Sequence, residues 1–273
     1  MSIIEAIFLG IIQGLTEFLP VSSSGHLVLF SHLLEVKEPS IVFEVLVHVG
    51  TLIAVVVVFW KEIAILITSF FKLLSKPSEA PRLCRTDPGC RLLSAVICAT
   101  LPVVVFALLF KDKIEALYMS PLFVGFMLII TGTILFVTDR LRVKRKDLEY
   151  ITMLDALIIG VGQAVAVLPG ISRSGTTIGV GLARGLTRES AARFSFLLTI
   201  PAILGALVFS IGDLVNGAVT ISIGAIIAGL LASAITGYLA IHLLLELVKR
   251  GKLIWFSYYT WAVGILVVLL SIL

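Results

Sequence analysis

Two polar loops interrupt the apolar stretches of this chain at equivalent places, residues 10–26 and 160–176. The first reads Gly10-IIQGLTEFLPVSSSG-His26 and the second Gly160-VGQAVAVLPGISRSG-Thr176. Laid over each other without a gap, they match at Gly10/Gly160, Gln13/Gln163, Ser22/Ser172, Ser24/Ser174 and Gly25/Gly175. The first copy adds Glu17 and His26; the second adds Arg173. Broken backbone at membrane depth is tolerated only where protein or a wet cavity surrounds it. Breaks at corresponding places in two halves are the sequence signature of a binding centre.

That the surroundings are a membrane follows from composition. Of 273 residues, 59% are hydrophobic and 14% charged, and the mean hydropathy is +1.14. A bilayer crossing takes about 20 apolar residues, and the runs 41–60, 92–110, 121–138, 192–211, 219–248 and 253–273 are of that order. The expected fold is an all-α polytopic membrane protein forming one domain, 1–273. The start MSIIEAI has no basic region and no small-residue cleavage site, so the first apolar segment is expected to stay. Cys84, Cys90 and Cys98 match no zinc spacing.

Residues 3–34 and 151–186 are each apolar but broken in the middle, at Pro20-VSSSG and Pro169-GISRSG. Read as hairpins that enter and leave by one face, they leave six crossings. With both termini outside, 17 of the 21 Lys and Arg fall in cytoplasmic segments and three (Lys37, Lys111, Lys113) outside; an excess of that sign sets orientation. The net charge of +4 is thus assigned to topology, and no nucleic-acid partner is expected. Three crossings between the hairpins make them enter from opposite faces, so the expected halves, about 1–138 and 151–273, are inverted-topology repeats. A basic cytoplasmic loop, 139–150, joins them. Their loop tips can meet near the midplane.

Smaller features read as structure. Ala225, Gly229, Ser233 and Gly237 recur every four residues, a spacing that lets helices approach closely. Pro102 and Pro201 are expected to kink their helices. Residues 75–91 read as a polar loop. Asp155, Glu5 and Glu246 read as interfacial.

The loops carry the chemistry. Arg173 at membrane depth costs about 2.5 kcal/mol or more to insert. Its planar, permanent charge suits phosphate oxygens. Ser172, Ser174, Gly175, Thr176 and Thr177 surround it, and a helix restarting there would turn backbone N–H groups toward an anion. The bland alternative is a buried Arg–Glu pair holding the halves together. Glu17 lies four residues after Gln13, on one helix face; facing a phosphate, it is either a ligand for a shared divalent cation or a general acid/base. Ser22, Ser23, Ser24 and His26 supply a nucleophile and a base. His26 could also attack phosphorus itself or protonate a leaving group. Glu44 and His48 share a face and read as second-rank or structural.

These motifs resemble the bacterial undecaprenyl-diphosphatase, or bacitracin-resistance, family. Gln13-GLT-Glu17 fits that family's Glu/Gln-x-x-x-Glu element, and Pro169-GISRSGT-Thr177 matches PGxSRSxxT in full. Pro20-VSSSG-His26 and Phe43-EVLVHVGT look like it too, and the similarity spans nearly the whole chain. The resemblance implies hydrolysis of undecaprenyl diphosphate to undecaprenyl phosphate and inorganic phosphate, for lipid-carrier recycling in cell-wall synthesis and bacitracin resistance. It implies a multi-pass protein of the bacterial plasma (inner) membrane with its site open to the outer, periplasmic face, and a divalent cation, Mg2+ or Ca2+. By position, Glu17, Ser23, His26, Arg173, Ser174 and Thr177 become site residues, with Gln13 and Ser172 nearby. Ser22, Ser24, Gly25, Gly175 and Thr176 complete the expected phosphate cradle. The preferred scheme has Ser23 as nucleophile, His26 as acid/base and Glu17 on the metal, with direct attack by His26 as competitor.

Two other readings stand beside it. A polyprenyl-phosphate transporter or flippase would show the same inverted repeats but needs no nucleophile. A type-2 phosphatidic acid phosphatase shares only Ser24-Gly25-His26. The expected partners are a polyprenyl diphosphate lipid and the bilayer, and a homodimer is one assembly open to the chain.

Overall fold

A computed structural model describes residues 1–33, 41–141, 146–216 and 221–272. Lys37, Arg142, Lys144 and Arg145, used above for topology, lie outside the described residues. Helices dominate, and among the described residues the only β pairing is one bridge between Lys146 and Leu186. The order is α1 (Ile3–Phe18), α2 (Ser23–Leu33), α3 (Ile41–Val58), α4 (Trp60–Ser75), α5 (Ala80–Thr86), α6 (Pro88–Tyr118), α7 (Pro121–Asp139), α8 (Met153–Val165), α9 (Arg173–Ala183), α10 (Arg188–Asn216), α11 (Ile223–Lys249) and α12 (Ile254–Ile272).

Five of these, α6, α7, α10, α11 and α12, are long and apolar enough to cross a bilayer, and α3 with α4 makes a sixth if that pair, bent by 89°, is one span. The all-α polytopic expectation holds. The run 41–60 ends at Phe59, whose φ −108, ψ 27 breaks the helix. Residues 75–91 are not a loop as expected: a 3-10 turn at Pro77–Glu79, α5 and the start of α6 occupy them. Proline at the first turn of each explains this, since its missing N–H and fixed φ suit a helix start. Pro102 and Pro201 lie inside α6 and α10. The non-helical dihedrals inside α6 fall instead at Phe110 (φ −124, ψ 15).

Glycine seams set the packing. α1 runs parallel to α11: Ile3 lies near Gly224, Gly10 abuts Gly229, and Gly14 abuts Ser233 and Thr236. The stripe of Ala225, Gly229, Ser233 and Gly237 is buried there, and Ser233 Oγ donates to the Val47 carbonyl of α3 at 2.8 Å. In the second half, Gly160 of α8 abuts the backbone of Ala99 in α6. The matched glycines at 10 and 160 thus have one physical role, the close approach of a hairpin helix to a long helix.

The helices α1 and α8 begin at opposite ends of α11. α1 begins beside the start of α11. α8 begins beside the far end of that helix, where Lys249 pairs with Glu189 at the start of α10 and Ser190 accepts from the Leu148 N–H. Charges gather at this second end. Asp155, expected at an interface, is fully buried and ties the base of the second hairpin: it accepts from Lys146 at 2.6 Å and from Arg184, just past α9, at 3.0 Å. Arg193 joins α10 to Glu62 of α4 at 3.0 Å.

The seam is testable. A Cβ on Gly160 would sit 2.4 Å from the Ala99 carbonyl oxygen, backbone that cannot swing aside. Gly160→Ala should destabilise the protein by about 1–3 kcal/mol, read as a lower thermal unfolding midpoint in detergent, while Gly205→Ala, whose Cβ meets nothing within 4 Å, does not lower the midpoint.

Candidate active site

Each loop is a helix–turn–helix break whose geometry follows from its serines. Ser22 and Ser172 accept from the N–H groups of Gly25 (3.3 Å) and Gly175 (3.1 Å) through their side chains, and from His26 and Thr176 through their carbonyls. They are the caps that restart α2 and α9, satisfying first-turn donors that have no partner within a helix. Their match across the repeat is therefore a capping match. The turn itself needs a left-handed residue in each copy, Ser22 at φ 71 in the first and Gly170 at φ +95 in the second.

The tips touch. Built as an alanine, Gly25 would meet Gly170 Cα at 3.2 Å, and Gly175 would meet Pro20 Cβ at 3.3 Å. Position 25 corresponds to 175 and position 20 to 170, so the contact is reciprocal, as across a two-fold axis. Ser174 Oγ reaches the Leu19 carbonyl at 3.4 Å. Each tip is also pinned from behind. Thr131 of α7 donates to the Gly170 carbonyl at 2.8 Å and accepts from the Ser172 N–H at 3.0 Å. His26 joins the Ser22 carbonyl at 2.8 Å to the Tyr259 hydroxyl of α12 at 2.8 Å.

Glu17, at the end of α1, is the hub. One oxygen pairs with Arg173 Nη2. The other accepts from Ser23 Oγ at 2.6 Å and from Gln13 Nε2 at 2.9 Å, with His48 Nε2 at 3.6 Å. Carboxylate, guanidinium and serine hydroxyl come from α1, α9 and α2, so neither half owns the set. Glu17 is 3% exposed at its side chain and Arg173 18%, so the guanidinium is the part that reaches open space. That space is a cavity of about 410 Å³. Glu17, Ser23, Ser24, His48, Ser172 and Arg173 line its polar part, and α6 (Val103, Val104, Ala107) and α10 (Pro201, Ile203, Ala206) supply apolar walls. A polar head with an apolar tail fits such a shape.

A family model described as bacitracin resistance protein BacA matches residues 6–266. The chain belongs to this family. An undecaprenyl-diphosphatase of Methanobrevibacter smithii is 46% identical over 278 residues, covering 100% of this chain and 99% of the relative. One from Carboxydothermus hydrogenoformans is 43% identical over 99% and 98%, and one from Alkaliphilus metalliredigens 42% over the full length of both.

The expected residues divide into groups. Glu17, Ser23, Ser24, Ser172 and Arg173 share the cavity. Gln13 stands behind Glu17, and Ser22 caps α2. Gly25 and Gly175 form the tip contact. Thr177 bonds Ser195 at 2.7 Å and its own helix, and Ser174 contacts Ser172 and Leu19. The Thr176 hydroxyl is buried without a partner among the described residues. His26 is not brought to the cavity. A carbonyl only accepts, so its Nδ1 carries the proton toward Ser22 and its Nε2 accepts from Tyr259. Both nitrogens are engaged, its ring stacks on Tyr259, and the Ser23–His26 dyad is not formed. The bland Arg–Glu pair is present, and the same two residues line the cavity. His48, Tyr118 and Gln163 also line it. His48 could be raised by its spacing from Glu44, and Gln163 by its register with Gln13; nothing in the sequence pointed to Tyr118, which bonds Ser24.

For a divalent cation the donor set is hard oxygen: Glu17, the Ser23 hydroxyl and Gln13 Oε1, which is buried without a partner among the described residues. Such a set fits magnesium or calcium if phosphate oxygens supply the remaining ligands. Among the described residues no three His, Cys, Asp or Glu side chains converge to hold an ion alone.

His26 fixes the carbonyl next to Ser23, so an asparagine, with a donor near the Nδ1 position, should replace it better than an alanine. His26→Asn should retain about tenfold more activity than His26→Ala, read as initial rates of phosphate release at equal folded protein.

Proposed function

We propose that this chain hydrolyses undecaprenyl diphosphate to undecaprenyl phosphate and inorganic phosphate. The observation that carries the reading is the Ser23–Glu17–Arg173 chain, assembled from both halves at the polar end of an apolar-walled cavity. The family membership and the names of the full-length relatives support the same substrate.

Arg173 binds the terminal phosphate and stabilises charge as it is transferred. Ser23 Oγ attacks the phosphorus while Glu17 Oε2, already its hydrogen-bond acceptor, takes the proton. The bond from phosphorus to the bridging oxygen breaks, and undecaprenyl phosphate leaves. Water then attacks phosphoserine, giving inorganic phosphate and returning the proton to Ser23. His26 acts through the Ser22 carbonyl in this scheme, not on the substrate. Held by Glu17 and Gln13, a magnesium or calcium ion would neutralise diphosphate charge.

The setting extends the proposal. Opposite entry of the hairpins, the swapped pairing of α1 with α11 and α8 with α6, and the reciprocal tip contact support inverted-topology repeats. The excess of Lys and Arg at the other end supports a site open to the outer face of a bacterial plasma membrane, in the recycling of a cell-wall lipid carrier. Transport of a polyprenyl phosphate is the second reading, favoured by the paired broken helices.

Phosphate release by purified protein in detergent separates the two, because transport needs a sealed compartment. Ser23→Ala and Glu17→Gln should each lower kcat/KM by about 10³-fold and Arg173→Ala by about 10²–10³-fold, with folding checked by thermal unfolding. Full activity in folded Ser23→Ala removes the phosphoserine scheme. EDTA should abolish activity, and added magnesium or calcium should restore it; activity untouched by EDTA removes the cation.

A further inference from the structure

The two copies of the repeated glutamine have different fates. Gln13 donates to Glu17, four residues on. Gln163 has Val167 at that place, so its copy of the carboxylate partner does not exist. It is 2% exposed, and among the described residues neither Nε2 nor Oε1 has a hydrogen-bond partner. It nevertheless lines the same cavity, with Val167, Ser172 and Arg173. A buried amide left unpaired costs about 1–3 kcal/mol. The start of α9 faces that cavity through Ser172 and Arg173, and the N–H groups at 173 and 174 have no carbonyl to bond within the helix.

We propose that Gln163 and the first turn of α9 form a second phosphate subsite, one that holds the phosphate remaining on the lipid. This rests on the diphosphatase reading above and divides its substrate between two places. Ser23 and Glu17 face the terminal, departing phosphate from the first hairpin. Gln163 meets the lipid-linked phosphate from the second hairpin, Nε2 donating to a phosphate oxygen and Oε1 accepting from water. Arg173, which precedes Ser174 at the start of α9 and reaches Glu17, stands between the two. The duplication thus kept the glutamine in both halves and changed what it binds: a carboxylate in one, a phosphate ester in the other. The subsite selects prenyl diphosphates over phosphate compounds without a second phosphate.

The test uses purified full-length protein in detergent, with farnesyl phosphate as the probe for the lipid-linked phosphate. Inorganic phosphate probes the terminal position, and farnesol controls for the tail. Gln163→Leu and Gln163→Met keep the volume and remove the unpaired amide, so the unfolding midpoint without ligand should stay level or rise. Both should bind farnesyl phosphate about tenfold more weakly, with inorganic phosphate and farnesol within twofold of wild type. KM for farnesyl diphosphate should rise by a similar factor with kcat little changed. Wild-type affinity for farnesyl phosphate and an unaltered KM would mean that Gln163 meets only water, and would overturn the subsite. A lowered midpoint in both variants would overturn it too, in favour of a structural role. If wild type binds farnesyl phosphate through Gln163 yet releases no phosphate from farnesyl diphosphate, the subsite stands and the hydrolysis reading falls.

Discussion

Glu17, buried, and Arg173, half-buried, are opposite charges 156 residues apart in sequence, and the polar groups of the two hairpin tips are arranged around them. A lone guanidinium or carboxylate at this depth is expensive, and removing one member of a buried pair typically costs about 3–5 kcal/mol. The pair therefore obliges the two hairpin tips to meet. Once they do, the Ser23 hydroxyl lies on the carboxylate, and the guanidinium edge faces the cavity. The same interaction closes the fold and charges the site, so the bland and functional readings of Arg173 describe one contact.

Close meeting of the tips needs the rest of the bundle to stand aside. Gly10, Gly14 and Gly160 let α1 and α8 lie directly on the backbones of α11 and α6. Thr131 and Tyr259, from two long helices, then hold the tips from behind. Irregular backbone is stable here because His26 of α2, Thr131 of α7 and Ser174 of α9 satisfy part of it. A serine placed next to a capped, pinned turn has little freedom to leave its carboxylate, and such preorganisation favours charge transfer.

Much of the site was legible from residue type and register. Glu17, Ser23 and Arg173 stand out because charge and hydroxyl are rare in so apolar a chain, and the repeat marks which of them correspond. The stripe from Ala225 to Gly237 was legible as a packing face for the same reason. The role of the matched serines was less so: Ser22 and Ser172 look like phosphate ligands until their side chains are seen capping α2 and α9. His26 misled in a related way. Its place in SSSGH suggests a dyad, but a residue in the first turn of a helix projects according to the helix's docking angle, and α2 turns the ring toward α12.

Sequence alone determined a polytopic helical chain, the two breaks, and the glycine and charge patterns, because each is a local or periodic property that solvent and bilayer read directly. Tertiary structure decided which atoms share a cavity. His48, Tyr118 and Gln163 enter it from helices α3, α6 and α8, and His26 leaves it. Those outcomes depend on helix rotation and depth, which are fixed by close contacts between segments distant in sequence, and no local pattern encodes them.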